Sequence, residues 1–300
     1  MSKRRKNPAS KSNARAAAAV PKRVKLRDIF VARPFEGLAD EAEWIALREL
    51  VPAATAPLTL VPELAAKHSD RTVVLASVLP GAAPAMSRAD GTILIGLQRH
   101  QQSGDISRDL AAALISALET EPGTQVVAPS LPGEGPRLPD VIVDGELEVT
   151  VHDGFGFWLA EGAGDDPQTA AVLDQANAAI FPTVRLAARR GAYWCLAGDK
   201  AHVRLVLTDD EDHALAALAR LAAAGELALG EGTRFAGMFR AHGRLAPVWD
   251  LPADVEAGQW EASVTAFADR YAKALADGAP VTADERRARQ GLLGRQLALR

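Results

Sequence analysis

Short β-rich runs and helical runs alternate twice along this chain in the same order. Residues 71–127 read strand, strand, helix, strand, and residues 192–249 read strand, strand, helix, strand, strand. In each block the helix opens with acids directly after a strand end, as "SGDISRDL" and "TDDEDHAL". Strands grouped with helices in this way fold as antiparallel or mixed sheets with helices packed on them, which is the α+β class. The expectation is therefore two similar strand-strand-helix-strand units, residues 30–129 and 140–280, joined by the Pro/Gly loop "SLPGEGPRLP" at 130–139. A basic helix would close the chain over 281–300.

The individual segments follow from periodicity and punctuation. In "ADEAEWIALREL" the residues Trp44, Leu47 and Leu50 recur at helical spacing, with Ile45 widening the stripe. Asp40, Glu41 and Glu43 lie in its first turn, where the helix dipole favours negative charge, and Pro52 stops it. "RTVVLASVLP" (71–80) and "GTILIGLQRH" (91–100) read as two strands joined by a loop or hairpin. A helix follows, capped by Ser103 or Asp105, with Ile106, Leu110, Leu114 and Leu118 on its buried face; "TQVVAP" reads as a short strand. "ELEVTVHDGFGFWLAEG" (146–162) reads as a hairpin turning at Asp153-Gly154. Beyond it come a helix opened by Pro167, strands "AYWCLAG" and "HVRLVLT", and a helix at 209–224. Two strands then meet around His242-Gly243, and helices follow at about 257–276 and after Thr282.

Charge is divided unevenly. The formal net charge is −4. Residues 1–27 nevertheless hold Lys3, Arg4, Arg5, Lys6, Lys11, Arg15, Lys22, Arg23, Lys25 and Arg27 and no acid. The rest is strongly acidic. A segment so polar cannot bury enough surface to offset the entropy of ordering, so residues 1–29 are expected to be a disordered basic tail. Its ten cations would attract phosphates by Coulomb force and counterion release. No aromatics are interleaved for stacking on bases. RNA, the ribosome or DNA are the partners this predicts, with an acidic protein surface and a merely solubilising role as the rivals. Arg286, Arg287, Arg289, Arg295 and Arg300 could add a weaker contact, although a solvated helix face explains them as well.

Several functions are disfavoured. The single Cys195 rules out an intrachain disulfide and multi-thiolate zinc sites; in its apolar strand it reads as a buried, inert thiol. No apolar run approaches the roughly 20 residues that cross a bilayer, and "AAAAV" is too short for a secretory core, so no membrane partner and a cytoplasmic location are expected. No phosphate-binding loop, G-x-S-x-G elbow or H-E-x-x-H pair occurs. "TDDEDH" (208–213) could offer oxygen ligands to a cation, but a helix cap at Thr208 or Asp209 with a solvated face accounts for it better. His152-Asp153 suits a turn better than a triad. No cofactor and no catalytic residue emerge.

The stretch "RPFEGLADEAEWIALRELVPAATAPL" resembles the start of an uncharacterised actinobacterial protein family, a domain of unknown function. The resemblance continues through "VVLASVLPGAAPAMSRADGTILIGLQ", "SGDISRDLA" and "HDGFGFWL" and covers most of residues 30–280. It implies no activity. Many relatives carry a preceding zinc motif similar to the C-terminal motif of the SecA translocase; this chain has no Cys in residues 1–60 to form it, so a translocase label does not transfer. The reading is a non-enzymatic accessory protein, with the basic arm on nucleic acid or ribosome and the acidic body on a protein partner. The alternative is a small-molecule-binding protein or enzyme with its site between the two α+β units, lined by "TDDEDH" or His152.

Overall fold

A computed structural model describes residues 30–127, 134–160 and 166–295. Two five-stranded sheets carry the fold. In the first, β1 (Ala54–Leu58), β2 (Thr72–Val78), β3 (Ala85–Ser87), β4 (Thr92–Gln98) and β5 (Thr150–Val151) lie in the order β3-β4-β2-β1-β5. In the second, β6 (Thr183–Arg185), β7 (Ala192–Ala197), β8 (Lys200–Leu205), β9 (Arg234–Ala241) and β10 (Arg244–Leu251) lie in the order β6-β7-β8-β10-β9. The second sheet is antiparallel throughout, and the first is mixed, because β2 and β4 run parallel. With the helices packed on both sheets, the protein is α+β, as its segment order implies.

Each sheet buries both faces, and strand alternation decides what each face meets. On β4, Ile93, Ile95 and Leu97 join α1 (Glu41–Glu49) and α3 (Ile106–Leu118), while Leu94 points the other way against Phe155 and Trp158. On β10, Leu245, Trp249 and Leu251 meet α5 (Glu211–Ala223) and α6 (Glu261–Ala276), with α7 (Ala283–Leu293) contributing Leu292. The alternate residues Ala246 and Val248, with Tyr193 and Phe239, turn back to the core that holds α1. Thus α1 is shared by the two sheets. Trp44 is 1% exposed and stacks on Phe35 at 5.6 Å.

Some expected elements differ. Of the loop or hairpin expected between the strands at 72–78 and 92–98, the structure has the loop, and the strands pair in parallel, Val73 opposite Ile93. The intervening chain crosses over β4 to reach β3 on its far side, and β3–β4 is the antiparallel pair. The crossing is close: a Cβ on Gly96 would lie 2.6 Å from the Ala83 carbonyl oxygen. Residues 124–127 are not a strand. Residues 146–160 form no hairpin. Only Thr150 and Val151 pair, with β1, and residues 155–158 close into a 3-10 turn. That turn stacks Phe155 on Trp158 at 4.2 Å and lets Trp158 Nε1 donate to the Val78 carbonyl at 2.9 Å. Aromatic burial on the sheet outweighs the Asp-Gly turn preference there. In the 130–139 loop, the described part ends in a 3-10 turn, Leu138–Asp140, with Leu138 buried.

The strands β1, β3 and β6 and the helices α2 (Pro62–Lys67) and α4 (Pro167–Asn177) complete the set. The helix expected at 257–276 begins as a 3-10 turn, Ala257–Trp260. Among the described residues no helix is long and apolar enough to cross a membrane. The cations proposed for the tail, Lys3 to Arg27, lie outside the described residues.

Candidate functional site

The first-turn acids of α1 are buried, not solvated. Asp40 accepts from Arg190 Nε at 2.7 Å and from the Leu147 backbone N–H at 2.9 Å. Glu41 Oε2 accepts from Arg244 at 2.8 Å and from Arg33 at 3.0 Å. Glu43 accepts from Arg185 at 2.8 Å, the Gly191 N–H at 3.1 Å and the Tyr193 hydroxyl at 2.5 Å. Buried carboxylates persist only when they are paired and hydrogen-bonded in this way. A cavity of about 360 Å³ lies beside them, walled by residues 38–42, Arg189, Arg190, Val206 and Thr208. All three carboxylates are already engaged in holding α1 on the second sheet. Sequence reading missed their partners because Arg185, Arg190 and Arg244 share no spacing with α1. One signal was present: Ala42, Trp44, Ile45, Ala46 and Leu47 leave the helix almost no face for water, so its acids had to go inside.

The residues singled out from the sequence disperse. Asp209 accepts from the Tyr271 hydroxyl at 2.8 Å. Asp210, not Thr208 or Asp209, caps α5, accepting from the Asp212 and His213 N–H groups. Glu211 pairs with Arg240 and Asp212 with Arg289, each at 2.6 Å, and His213 is exposed. Neighbours on a helix fan outward, and this cluster does so; among the described residues no group of three or more His, Cys, Asp or Glu is placed to hold a metal ion. His152 shares a 2.8 Å hydrogen bond with the Thr55 hydroxyl and packs on Phe157. Burial lowers its pKa. Burial likewise raises that of the Cys195 thiol, which keeps it protonated and inert.

A different group gathers at the carboxyl ends of β2 and β4, a region that sequence reading did not single out. Arg48, near the end of α1, donates to the Leu97 carbonyl and, at 2.7 Å, to Gln102 Oε1; its Nε lies 3.1 Å from Glu49 Oε1. Gln98 donates to the Arg48 carbonyl at 2.8 Å, and Gln102 to the Arg99 carbonyl at 3.2 Å. Arg99, directly after β4, is 8% exposed. It donates from Nη1 to the Asp109 carbonyl at 2.9 Å, and its Nε has no hydrogen-bond partner among the described residues. Asp109 acts on it through space, but among the described residues no carboxylate forms an ion pair with it. Burial pushes both guanidinium pKa values down, and Arg48 also feels the charge of Arg99. A cavity of about 460 Å³, lined by Arg48, Glu49, Ala82, Gln98, Arg99, His100 and Gln102, opens on these groups. The loop that crosses β4 supplies its rim, and Ala82 there is held at φ 49°, a conformation costly for a residue with a Cβ.

A model of a family of unknown function (DUF5926) matches residues 34–300, which extends through the C-terminal helix. No curated protein and no solved structure matches the chain.

Proposed function

Because the chain belongs to the family of unknown function DUF5926, kinship supplies no activity, and we propose from the geometry that the folded body binds a small anion at Arg99. The observation that carries this reading is a buried guanidinium that, among the described residues, makes a single hydrogen bond and no ion pair. A charge removed from water is costly unless a counter-charge meets it, and a planar guanidinium fork matches an oxyanion. Gln98, Gln102 and His100 add polar groups around it, and among the described residues no nucleophile–base pair stands beside them, so the reading is binding. Calorimetric titration with acetate and with inorganic phosphate in low-chloride buffer tests it. Saturable binding by the parent, lost in Arg99→Met, is expected; equal binding by both proteins overturns it.

The charge division carries a second reading for the N-terminal segment. Ten cations without an acid precede a body in which 38 acids face 24 cations. In this reading the arm contacts RNA, ribosome or DNA, the acidic body docks a protein, and the protein works in a reducing cytoplasm. Deleting residues 1–27 should abolish salt-sensitive retention on RNA. If the full-length protein is not retained even at low salt, the arm has no such role.

A further inference from the structure

The cavity at Arg99 does not end at the charged groups. Ala82, Arg99 and His100 also line a second space of about 380 Å³, whose remaining walls are Gly81, Ala83, Pro84, Gln101, Gln125, Val126 and Val127. The wall thus changes from charged and amide-bearing on one side of Arg99 to mainly aliphatic on the other. Val127 is 83% exposed, a large apolar side chain left in water beside a buried cation. Cavities of roughly 300–1,000 Å³ with a mostly apolar lining and a few convergent polar groups are where small molecules bind.

Charge narrows the ligand further. Two cations, Arg48 and Arg99, and two carboxylates, Glu49 and Asp109, act on this region. Glu49 is in contact with Arg48, so that pair is balanced. One guanidinium remains in want of a contact counter-ion, with the Asp109 carboxylate already nearby. Counted together these four charges cancel, so any anion meets Asp109 as a like charge, and a ligand with two or more negative charges meets it more strongly than one with a single charge. A carboxylate brings one charge and two coplanar oxygens, which fit the fork of a guanidinium.

Resting on the reading that Arg99 binds an anion, we propose that the ligand class is an amphipathic monocarboxylate. Its carboxylate meets Arg99, and its aliphatic body lies along Ala83, Pro84, Val126 and Val127. The apolar body would exclude water from the ion pair and strengthen it.

Titration of the full-length protein with acetate, butanoate, hexanoate and inorganic phosphate tests the class. Each methylene buried should tighten binding about fourfold, so hexanoate should bind far more tightly than acetate and more tightly than phosphate. Arg99→Met should lose all of them. Val127→Ser, at an exposed position where folding is not at stake, should loosen hexanoate several-fold and leave acetate unchanged. If acetate and hexanoate bind equally, or phosphate binds best, and Arg99→Met still abolishes binding, the amphipathic class is wrong and the anion site stands. If hexanoate binds Arg99→Met as well as the parent, the carboxylate is not held at Arg99 and the proposal fails. If the parent binds none of the four, both readings fall.

Discussion

The Tyr193 hydroxyl, on β7 of the second sheet, donates to Glu43 Oε2, on α1, at 2.5 Å, and Glu43 is 0% exposed. Burial, and then the Glu43 charge, raise the phenol pKa, so it remains a donor. This bond ties the helix that completes the first sheet's core to the second sheet. Tyr193→Phe should cost about 1–3 kcal/mol, because it removes one donor from a buried carboxylate. Glu43→Ala should cost more, about 3–5 kcal/mol, because it strands Arg185 and the Gly191 N–H as well. Urea midpoints of the two variants give the order; a Glu43→Ala midpoint equal to that of the parent would contradict it.

Trp44 packs in the same helix against Phe35 and the core common to both sheets. Trp44→Ala should destabilise by about 3–5 kcal/mol through the cavity it leaves. Because both sheets lean on this core, loss of the two should be simultaneous. Near-ultraviolet and far-ultraviolet circular dichroism should therefore follow one transition in the variant, and two separated transitions would count against a shared core.

Glu49 joins α1 to the β9–β10 turn through a 2.7 Å bond with His242 Nε2. Burial pushes the Glu49 carboxyl up, but the His242 hydrogen bond and charge, together with Arg48, outweigh it and hold it below its ordinary value. A depressed folded pKa means that the carboxylate's contribution is full above its unfolded value of about 4.3 and is lost as pH falls through the lower folded value. Glu49→Gln should thus be less stable than the parent near neutral pH, and the two should converge as pH drops below about 4. Urea midpoints taken across that range would show the convergence; a constant gap would assign the effect to packing.

Gly96 lies in β4 where the loop after β2 crosses, and an added Cβ would meet the Ala83 carbonyl oxygen at 2.6 Å. Backbone cannot yield as a flexible side chain does. Gly96→Ala should cost about 1–3 kcal/mol by overpacking, and amide spectra should shift around Ala82 and Ala83. An unshifted loop with parental stability would show that the crossing has slack.

Much of the local structure was legible in residue order. The apolar spacing of Trp44, Leu47 and Leu50 marked α1, Asp105 was one of two candidates for the α3 cap that its side-chain bond to the Arg108 N–H makes, and Thr282 marked the start of α7, which the structure closes with a capping box to Glu285. His242-Gly243 marked the β9–β10 turn, where both residues take positive φ. These depend on neighbours within about four positions, which sequence displays directly.

Pairing and burial were decided elsewhere. Residues 72–78 and 92–98 carry the same β-rich composition whether they pair parallel or as a hairpin, and the parallel arrangement goes with the loop that crosses close over Gly96. "HDGFGFW" has turn residues, yet the need to bury Phe155 and Trp158 on the sheet makes it a 3-10 turn. The acids of α1 looked like helix-dipole partners until Arg185, Arg190 and Arg244, some 140 to 200 positions away, closed on them. Arg99 reads as one more polar residue after a strand. Its burial without an ion pair exists only because α1, β4 and the loop before β3 converge there. The sequence by itself determined most of the helices and several caps and turns, whose energies are local. The tertiary structure alone decided strand partners and the fate of buried charges, because both depend on which distant groups share a volume from which water has been removed.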